Sequence, residues 1–361
     1  MSDSRDAVYM ARALYLARKG RYTTDPNPRV GCVLVKNEVI VGEGWHVKAG
    51  CGHAEVEALK NTTDAKGATA YVTLEPCSHY GRTPPCCDAL IHAGISRVVV
   101  AMQDPNPRVS GSGLARLKAA GIEVSCGVLQ EEALRLNRGF IKRMTEQRPF
   151  VRSKLAMSLD GRTAMASGES KWITSAEARA DVQRLRAESS AILTGINTVL
   201  ADDPALNARI DDAVLQPIRV VLDSRLNMPL TAQMAKLPGR SLILTCSPDE
   251  QKQQALQQAG FEVHQLAANN GRLDLQAVMA FLSRQHINEL LVEAGAVLNG
   301  ALLDEGLIDE YVIYMASCIL GDQGRGLFNV PGLQQMADKK QLQLRDVRQV
   351  GPDLKLTYTP A

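Results

Sequence analysis

The stretch from His53 to Cys87 constrains the fold of this chain more than any other. It reads His53-Ala54-Glu55, then Leu74-Glu75-Pro76-Cys77, then Cys86-Cys87. The apolar pattern predicts a helix over residues 52–61 that carries His53 and Glu55, and a strand over 68–74 that ends at Glu75-Pro76. Thr83 reads as an N-cap and Pro84 as the first residue of a further helix that stops at Gly94. A histidine, a carboxylate and two cysteines at these positions meet only if a strand end and two helix starts lie side by side. A sheet flanked by helices arranges its ends in that way. On a helix, Glu55 points about 200° around the axis from His53. It cannot share a ligand direction with the imidazole, but it can stand over an adjoining coordination position.

Short apolar runs and helical periods alternate around this stretch. A helix is predicted over 6–20 and a hairpin over 29–41 that turns near Lys36-Asn37. A strand over 97–101, a helix over 114–120 and a strand over 122–127 complete an α-β-β-α-β-α-β-α-β order. Residues 137–149 are polar, basic and end in proline, and they read as the join between domains 1–146 and 147–361. The second part sets strands at 150–155, 191–193, 218–222, 241–245, 261–263 and 289–293. Helices at 176–188, 249–258, 275–284 and 298–303 lie between or after them. This is the pattern of an α/β domain with a mainly parallel sheet. A chain of 361 residues accommodates two such cores.

No apolar run approaches the roughly 20 residues that span a bilayer. The first twenty residues read as a helix and not as a signal peptide, so no membrane partner and a cytoplasmic location are expected. Four of the eight cysteines (Cys51, Cys77, Cys86, Cys87) crowd into one window, which suits metal ligation in a reducing compartment. Residues 1–145 hold 19 basic and 14 acidic side chains, a balance of +5, and the remainder holds 22 and 25, a balance of −3. Neither half carries the basic excess of a nucleic-acid binder.

Zinc deaminases share the pattern H-x-E followed by P-C-x-x-C, in which His and two Cys hold the metal and Glu moves protons. The first half of that pattern is intact here, but eight residues separate Cys77 from Cys86 where the pattern has two. Three protein ligands leave one coordination position for water, the catalytic arrangement of zinc. The metal would lower the pKa of that water, and Glu55 would relay the proton. Cys86 and Cys87 point about 100° apart on a helix, and spacing alone does not choose between them. A structural zinc would need a fourth ligand from Cys51, His79 or Cys87 and would leave Glu55 without a role. His79 falls in the loop between the cysteines, with Ser78 and Arg82.

The segments TDPNPRVGCVLV, GEGWHVKAGCGHAEVEAL, AYVTLEPCSHYGRTPPCCDALI and DPNPRVSGSG resemble the deaminase half of the bifunctional riboflavin-biosynthesis deaminase–reductases, in which a long Cys-to-Cys loop is normal. The resemblance implies a cytidine-deaminase-like three-layer fold. It implies that His53, Cys77 and Cys86 bind zinc, that Glu55 is the proton shuttle, and that Asn27, His79 and Asp104-Pro105-Asn106 lie near the substrate.

In the second half, the patterning offers strand-end loops and one strand-to-helix turn, Glu293 to Gly300. No G-x-G-x-x-G follows a strand, so patterning alone gives no dinucleotide site. The stretch SKLAMSLDGRTAMASGESKWITS and its neighbours are similar to the reductase half of the same enzymes, whose fold is like dihydrofolate reductase. The resemblance implies that NADPH meets Ala156, Trp172, Thr198, Asp202, Ser224 and the turn Gly295, Ala296, Val297, Leu298, Asn299, Gly300 and Ala301. It implies that Ser170, Arg186, Leu206, Arg209 and Glu293 meet the substrate, with Lys154 near the ribose. Two departures stand out. Gly295-Ala296 replaces the family's frequent Gly-Pro or Gly-Gly, and Ala316-Ser317-Cys318 replaces its frequent Ala-Pro-Lys.

The resulting expectation is a two-step enzyme. Zinc-dependent deamination of 2,5-diamino-6-ribosylamino-4(3H)-pyrimidinone 5′-phosphate is followed by NADPH-dependent reduction of the ribosyl group to ribityl. The partners expected are this phosphorylated small molecule and further copies of the chain in a homo-oligomer. The rival readings are a nucleic-acid cytidine or adenosine deaminase with an appended binding domain, and a zinc-stabilised binding module without activity. Low aromatic content, 4%, argues against the first.

Overall fold

The computed structural model describes residues 4–80, 84–107 and 110–361. The chain divides into two compact units, Met1–Gln147 and Arg148–Ala361. Among the described residues, no helix is long and apolar enough to cross a membrane.

The first unit runs α1 (Ser4–Ala17), β1 (Gly31–Lys36), β2 (Val39–Trp45), α2 (Ala54–Lys60), β3 (Thr69–Val72), α3 (Cys86–His92), β4 (Arg97–Val100), α4 (Ser112–Ala119), β5 (Glu123–Cys126), α5 (Gln130–Leu136) and α6 (Arg138–Glu146). The sheet order is β2-β1-β3-β4-β5. β1 is antiparallel to β2 and β3, while β3, β4 and β5 run parallel. Alternate strand residues face opposite layers. Val33, Val35, Tyr71, Val99 and Ala101 pack with Met10, Ala13 and Leu14 of α1. Cys32, Leu34, Ala70, Val72, Val98 and Val100 pack with Ala54, Ala58, Leu90 and Leu117 of α2, α3 and α4. Helix, sheet and helix form three layers.

Three local expectations change. His53 is the extended residue that precedes α2 and not a member of it, so the 200° separation does not describe the pair. α3 begins at Cys86 with Pro85 before it, two residues later than expected, and Thr83 lies outside the described residues. The segment read as a polar join is largely helix α6. Asn137 is buried at its start, accepts a hydrogen bond from the Arg29 N–H and donates one to the Arg29 carbonyl. Ile141 packs on the core. Phe140, Ile141 and Met144 are only half-buried among charged neighbours, so the segment reads as polar by composition although its apolar residues share a face.

The second unit runs β6 (Phe150–Ser158), β7 (Arg162–Ala164), α7 (Ala176–Glu188), β8 (Ala191–Gly195), α8 (Ile196–Asp202), β9 (Ile218–Leu222), β10 (Ser241–Thr245), α9 (Glu250–Gln258), β11 (Glu262–Gln265), β12 (Ala268–Asn269), β13 (Arg272–Leu273), α10 (Leu275–Arg284), β14 (Glu289–Val292), α11 (Ala296–Asp304), β15 (Glu310–Ala316), β16 (Arg325–Gly326), β17 (Leu342–Val350) and β18 (Asp353–Pro360). Nine strands form one sheet in the order β11-β10-β9-β8-β14-β6-β15-β18-β17. β11 through β15 in that order are parallel, and β18 and β17 close the edge antiparallel. Apolar clusters cover both faces, as the near-continuous apolar runs of β8, β9, β10 and β14 require. The sequence reading missed β15 although Tyr311 to Ala316 is an apolar, largely buried run, whereas β17 and β18 carry no such run. β17 is mostly exposed, and its place in the sheet comes from pairing with β18.

The site in the first unit depends on how closely α2 lies on β2. A Cβ added at Gly44 would meet the Ala58 nitrogen at 2.3 Å and the Ala54 oxygen at 2.4 Å. Gly44→Ala should therefore push α2 away and destabilise the unit by about 1–3 kcal/mol, seen as a lower unfolding temperature. An unchanged unfolding temperature would contradict this account of the packing.

Candidate metal centre and cleft

Three donors meet at the helix and strand ends of the first unit. His53, Cys77 and Cys86 each offer one ligand atom, and these atoms lie within 4.8 Å of one another. The His53 Nδ1 is 3.2 Å from the Cys86 Sγ and 3.6 Å from the Cys77 Sγ. Bond lengths of about 2.3 Å to sulfur and 2.0 Å to nitrogen in a tetrahedral site imply donor separations of roughly 3.5 Å, so the donors fit a zinc ion. The Cys86 N–H also donates to the Cys77 sulfur at 3.3 Å. Cys87 points elsewhere, with its Sγ directed at the carbonyls of Pro76 and Gly113. The geometry thus separates the two adjacent cysteines, and neither Cys51, Cys87 nor His79 joins the group.

Electrostatics supports the same reading. The Cys86 thiol, with help from His53 and the Cys86 N–H, outweighs burial and pulls Cys77 down to about 4. Cys86 is pushed strongly up by Cys77, by burial and by Glu55. Without a cation the two sulfurs share one proton because two adjacent thiolates repel. A divalent cation removes that conflict.

Glu55 is 3% exposed. Burial pushes its carboxyl up to about 7, and the Cys77 charge adds to this against the pull of His53 and Cys86. The sequence reading missed His46, which is buried and stacks edge-on against His53 with centroids 5.5 Å apart. Its Nδ1 lies 3.1 Å from the Gly52 carbonyl, which fixes the proton there. The Nε2 then accepts from the Asn27 amide at 3.1 Å. Burial lowers the His46 pKa and favours this neutral form. Asn27 is thereby tied to the cluster through His46. His79 is exposed, and it acts electrostatically on Asp104, whose carboxyl burial raises. A histidine directly after the hairpin, and an acidic residue directly before Pro-Cys, were the available signals for His46 and for Glu75.

In the second unit, the C-terminal ends of β6, β8, β9 and β14 open into a cleft of about 2060 Å³. Its walls include Lys154, Ala156, Ser170, Trp172, Arg186, Thr198, Asp202, Leu206, Arg209, Ser224, Glu293, Gly295, Ala296, Val297, Leu298 and Ala301. The crevice beyond the strand ends is the usual ligand site of such sheets. Two residues of the expected turn do not line it. Asn299 is fully buried, accepts from the Ser153 hydroxyl and donates to the carbonyls of Ala294 and Gly295. Gly300 is packed so that a Cβ would meet the Asn329 oxygen at 2.1 Å. Both belong to the inward face of α11 and hold the turn in shape. Leu206 is buried and has little side chain to offer a ligand. Trp172, 70% exposed, carries the Arg179 guanidinium over its ring.

The floor of the cleft is charged. Glu293 accepts from Arg186 through Nε at 2.6 Å and Nη2 at 3.1 Å, and Lys154 Nζ lies at 3.1 Å. Burial alone would raise the Glu293 pKa, but Lys154 and Arg186 outweigh it and hold the carboxyl at about 2. Arg186 spends its Nη1 on the Asn207 carbonyl. Arg209 is exposed, and its Nη1 meets the Asn207 side chain at 2.6 Å.

Fold and site together define a two-domain enzyme class, a cytidine-deaminase-type unit followed by a reductase-type α/β unit. Residues 3–102 match the cytidine and deoxycytidylate deaminase zinc-binding region, and residues 149–356 match the RibD C-terminal domain. The chain is 52% identical over 365 positions to riboflavin biosynthesis protein RibD of Escherichia coli (strain K12), with 98% of each covered. It is 52% identical over 372 positions to RibD of Haemophilus influenzae, covering 99% of this chain and 98% of that one. Among solved structures, Acinetobacter baumannii RibD aligns over 99% of both chains at 47% identity and a TM-score of 0.92. A deaminase/reductase of Thermotoga maritima aligns over 99% of both at 34% identity and a TM-score of 0.88. The chain belongs to the RibD family, the bifunctional deaminase–reductases of riboflavin biosynthesis. The nucleic-acid deaminase reading is not favoured.

The Glu293 cluster generates a pH prediction. A carboxylate with a depressed pKa contributes stability above its unfolded value, near 4.5, and loses it as pH falls toward about 2. Glu293→Gln should destabilise the second unit by about 2–4 kcal/mol at neutral pH, because two half-buried cations lose their partner. The gap between variant and wild type should narrow as pH falls from 4.5 toward 2, read by denaturant unfolding. A gap that is constant with pH would refute the assignment.

Proposed function

We propose that the first unit holds zinc on His53, Cys77 and Cys86 and removes the ring amine of 2,5-diamino-6-ribosylamino-4(3H)-pyrimidinone 5′-phosphate. The observation that carries this reading is the convergence of one imidazole nitrogen and two sulfurs within 4.8 Å beside the buried Glu55. Bound zinc supplies Lewis acidity that favours ionisation of a water at neutral pH. Glu55 accepts the proton of that water and returns protons to the ring nitrogen and the departing amine. Its burial keeps bulk water away and raises the carboxyl, which favours holding the proton it accepts. Asn27 has its amide N–H₂ committed to His46, which leaves its oxygen to accept from the substrate's exocyclic or ring N–H.

The second unit reduces the ribosyl group of the deaminated product to ribityl. NADPH supplies the hydride when bound, and the protein's work is to orient the two reactants. Ala156, Trp172, Thr198, Asp202, Ser224 and the exposed part of the 295–301 turn form the cofactor wall. Ser170, Arg209, Lys154 and the Glu293–Arg186 pair face the substrate. With Arg186 already holding Glu293 and Asn207, Arg209 is the guanidinium with donors left for the ribose phosphate. The departure at Ala316-Ser317-Cys318 removes a lysine, and the cleft keeps cationic side chains that include Lys154, Lys171, Arg179, Arg186 and Arg209.

The experiment is a coupled assay on the purified chain that follows ammonia release and NADPH oxidation separately. Glu55→Gln should lower ammonia release by about 10²–10⁴-fold while zinc content and oxidation of NADPH on supplied deaminated product persist. Removal of zinc by a chelator should give the same split. Ammonia release that survives Glu55→Gln would end the proton-shuttle assignment, and an absence of NADPH oxidation on the deaminated product would end the reductase assignment.

A further inference from the structure

Glu75 lies outside the metal cluster, yet its side chain is buried and fully engaged. Oε2 accepts from the backbone N–H of Asp104 at 3.0 Å and of Gly111 at 2.9 Å. Oε1 accepts from Gly113 at 2.8 Å and from Leu114 at 3.4 Å. Gly113 and Leu114 are in the first turn of α4, and Gly111, which precedes the helix as its N-cap, supplies no capping side chain. The Glu75 carboxylate performs that cap from a distant strand end, where orphan N–H groups and the helix dipole favour a negative charge.

The consequence reaches the metal centre. Glu75 is two residues before Cys77, and its own N–H donates to the Met102 carbonyl. One side chain therefore ties the ligand-bearing loop to Asp104, whose Oδ1 in turn accepts from the Asn106 N–H at 2.8 Å. Ser78 and Ser112 close the same junction through their hydroxyls at 2.7 Å. Asp104 feels the charges of Glu75, His79 and Cys77, so it lies among the groups that surround the ligand-bearing loop.

We propose that Glu75 is a positioning residue for pyrimidine binding, holding Asp104 and Asn106 against the metal centre through the backbone N–H groups of Asp104, Gly111 and Gly113. This rests on the deaminase reading of the first unit. Both carboxylate oxygens act as acceptors, so a glutamine of the same shape must turn an NH₂ toward two N–H donors and leave them unsatisfied. The penalty falls on the loop and not on the zinc ligands.

The test compares wild type, Glu75→Gln, Asp104→Ala and the double variant, each as the full chain loaded with zinc. Glu75→Gln should raise KM for the diaminopyrimidine about tenfold or more while kcat stays within about threefold. Zinc content and the reductase rate on deaminated product should match wild type. The KM effects of Glu75→Gln and Asp104→Ala should be non-additive, because both act through the same contact. Additive effects, an unchanged KM, a fall in kcat alone, or loss of zinc together with activity would each overturn the proposal. The last outcome would make Glu75 a support of the ligand loop or of the fold. A wild-type chain that releases no ammonia from this pyrimidine would count against the deaminase reading and not against Glu75.

Discussion

Two sulfur atoms and an imidazole nitrogen are crowded into a partly buried site, and much of the first unit follows from the need to hold them there. Bringing two cysteines together in low dielectric is unfavourable unless a proton or a cation lies between them. The fold meets that cost by rigid placement. Cys77 lies in the loop after β3, Cys86 starts α3, and His53 precedes α2, three positions set around one packed apolar layer. Their partners are equally fixed. His46 edges against His53, and the Cys86 N–H reaches the Cys77 sulfur.

The second unit solves a related problem with the opposite sign. Lys154 of β6 and Arg186 of α7 meet beside Glu293 at the end of β14, and Glu293 neutralises one of their two charges. Arg209 adds a further cation at the rim of the cleft, where burial and repulsion from Arg186 lower its pKa. The local balance stays positive, which suits a phosphorylated substrate. In both units the clustered groups are gathered from several separate elements, strands and helices alike.

Much of this was legible because the signals were local. The hairpin, the buried strands and helices such as 176–188 and 275–284 follow from apolar period and capping residues alone. The pattern His53-Ala54-Glu55 with Cys77 pointed to a metal because few other uses need those residue types together. What was not legible had a common cause. Helix α6 and strands β17 and β18 bury few of their own apolar groups, and their partners are far away in sequence. The inward turn of Asn299 and Gly300 depends on Ser153 and Asn329, which no spacing rule connects to them.

By itself the sequence determined the inventory: a three-donor set with a carboxylate, two α/β units, and a resemblance that assigned each a reaction. The tertiary structure decided the choices among neighbours. It directed Cys86 toward His53 and Cys87 toward backbone carbonyls, set His53 ahead of α2 and not within it, and gave Glu75 a set of backbone donors 29 to 39 residues away. Local spacing fixes which side chains share an element. Only packing fixes which atoms lie within bonding distance, because that depends on where separate elements end relative to one another.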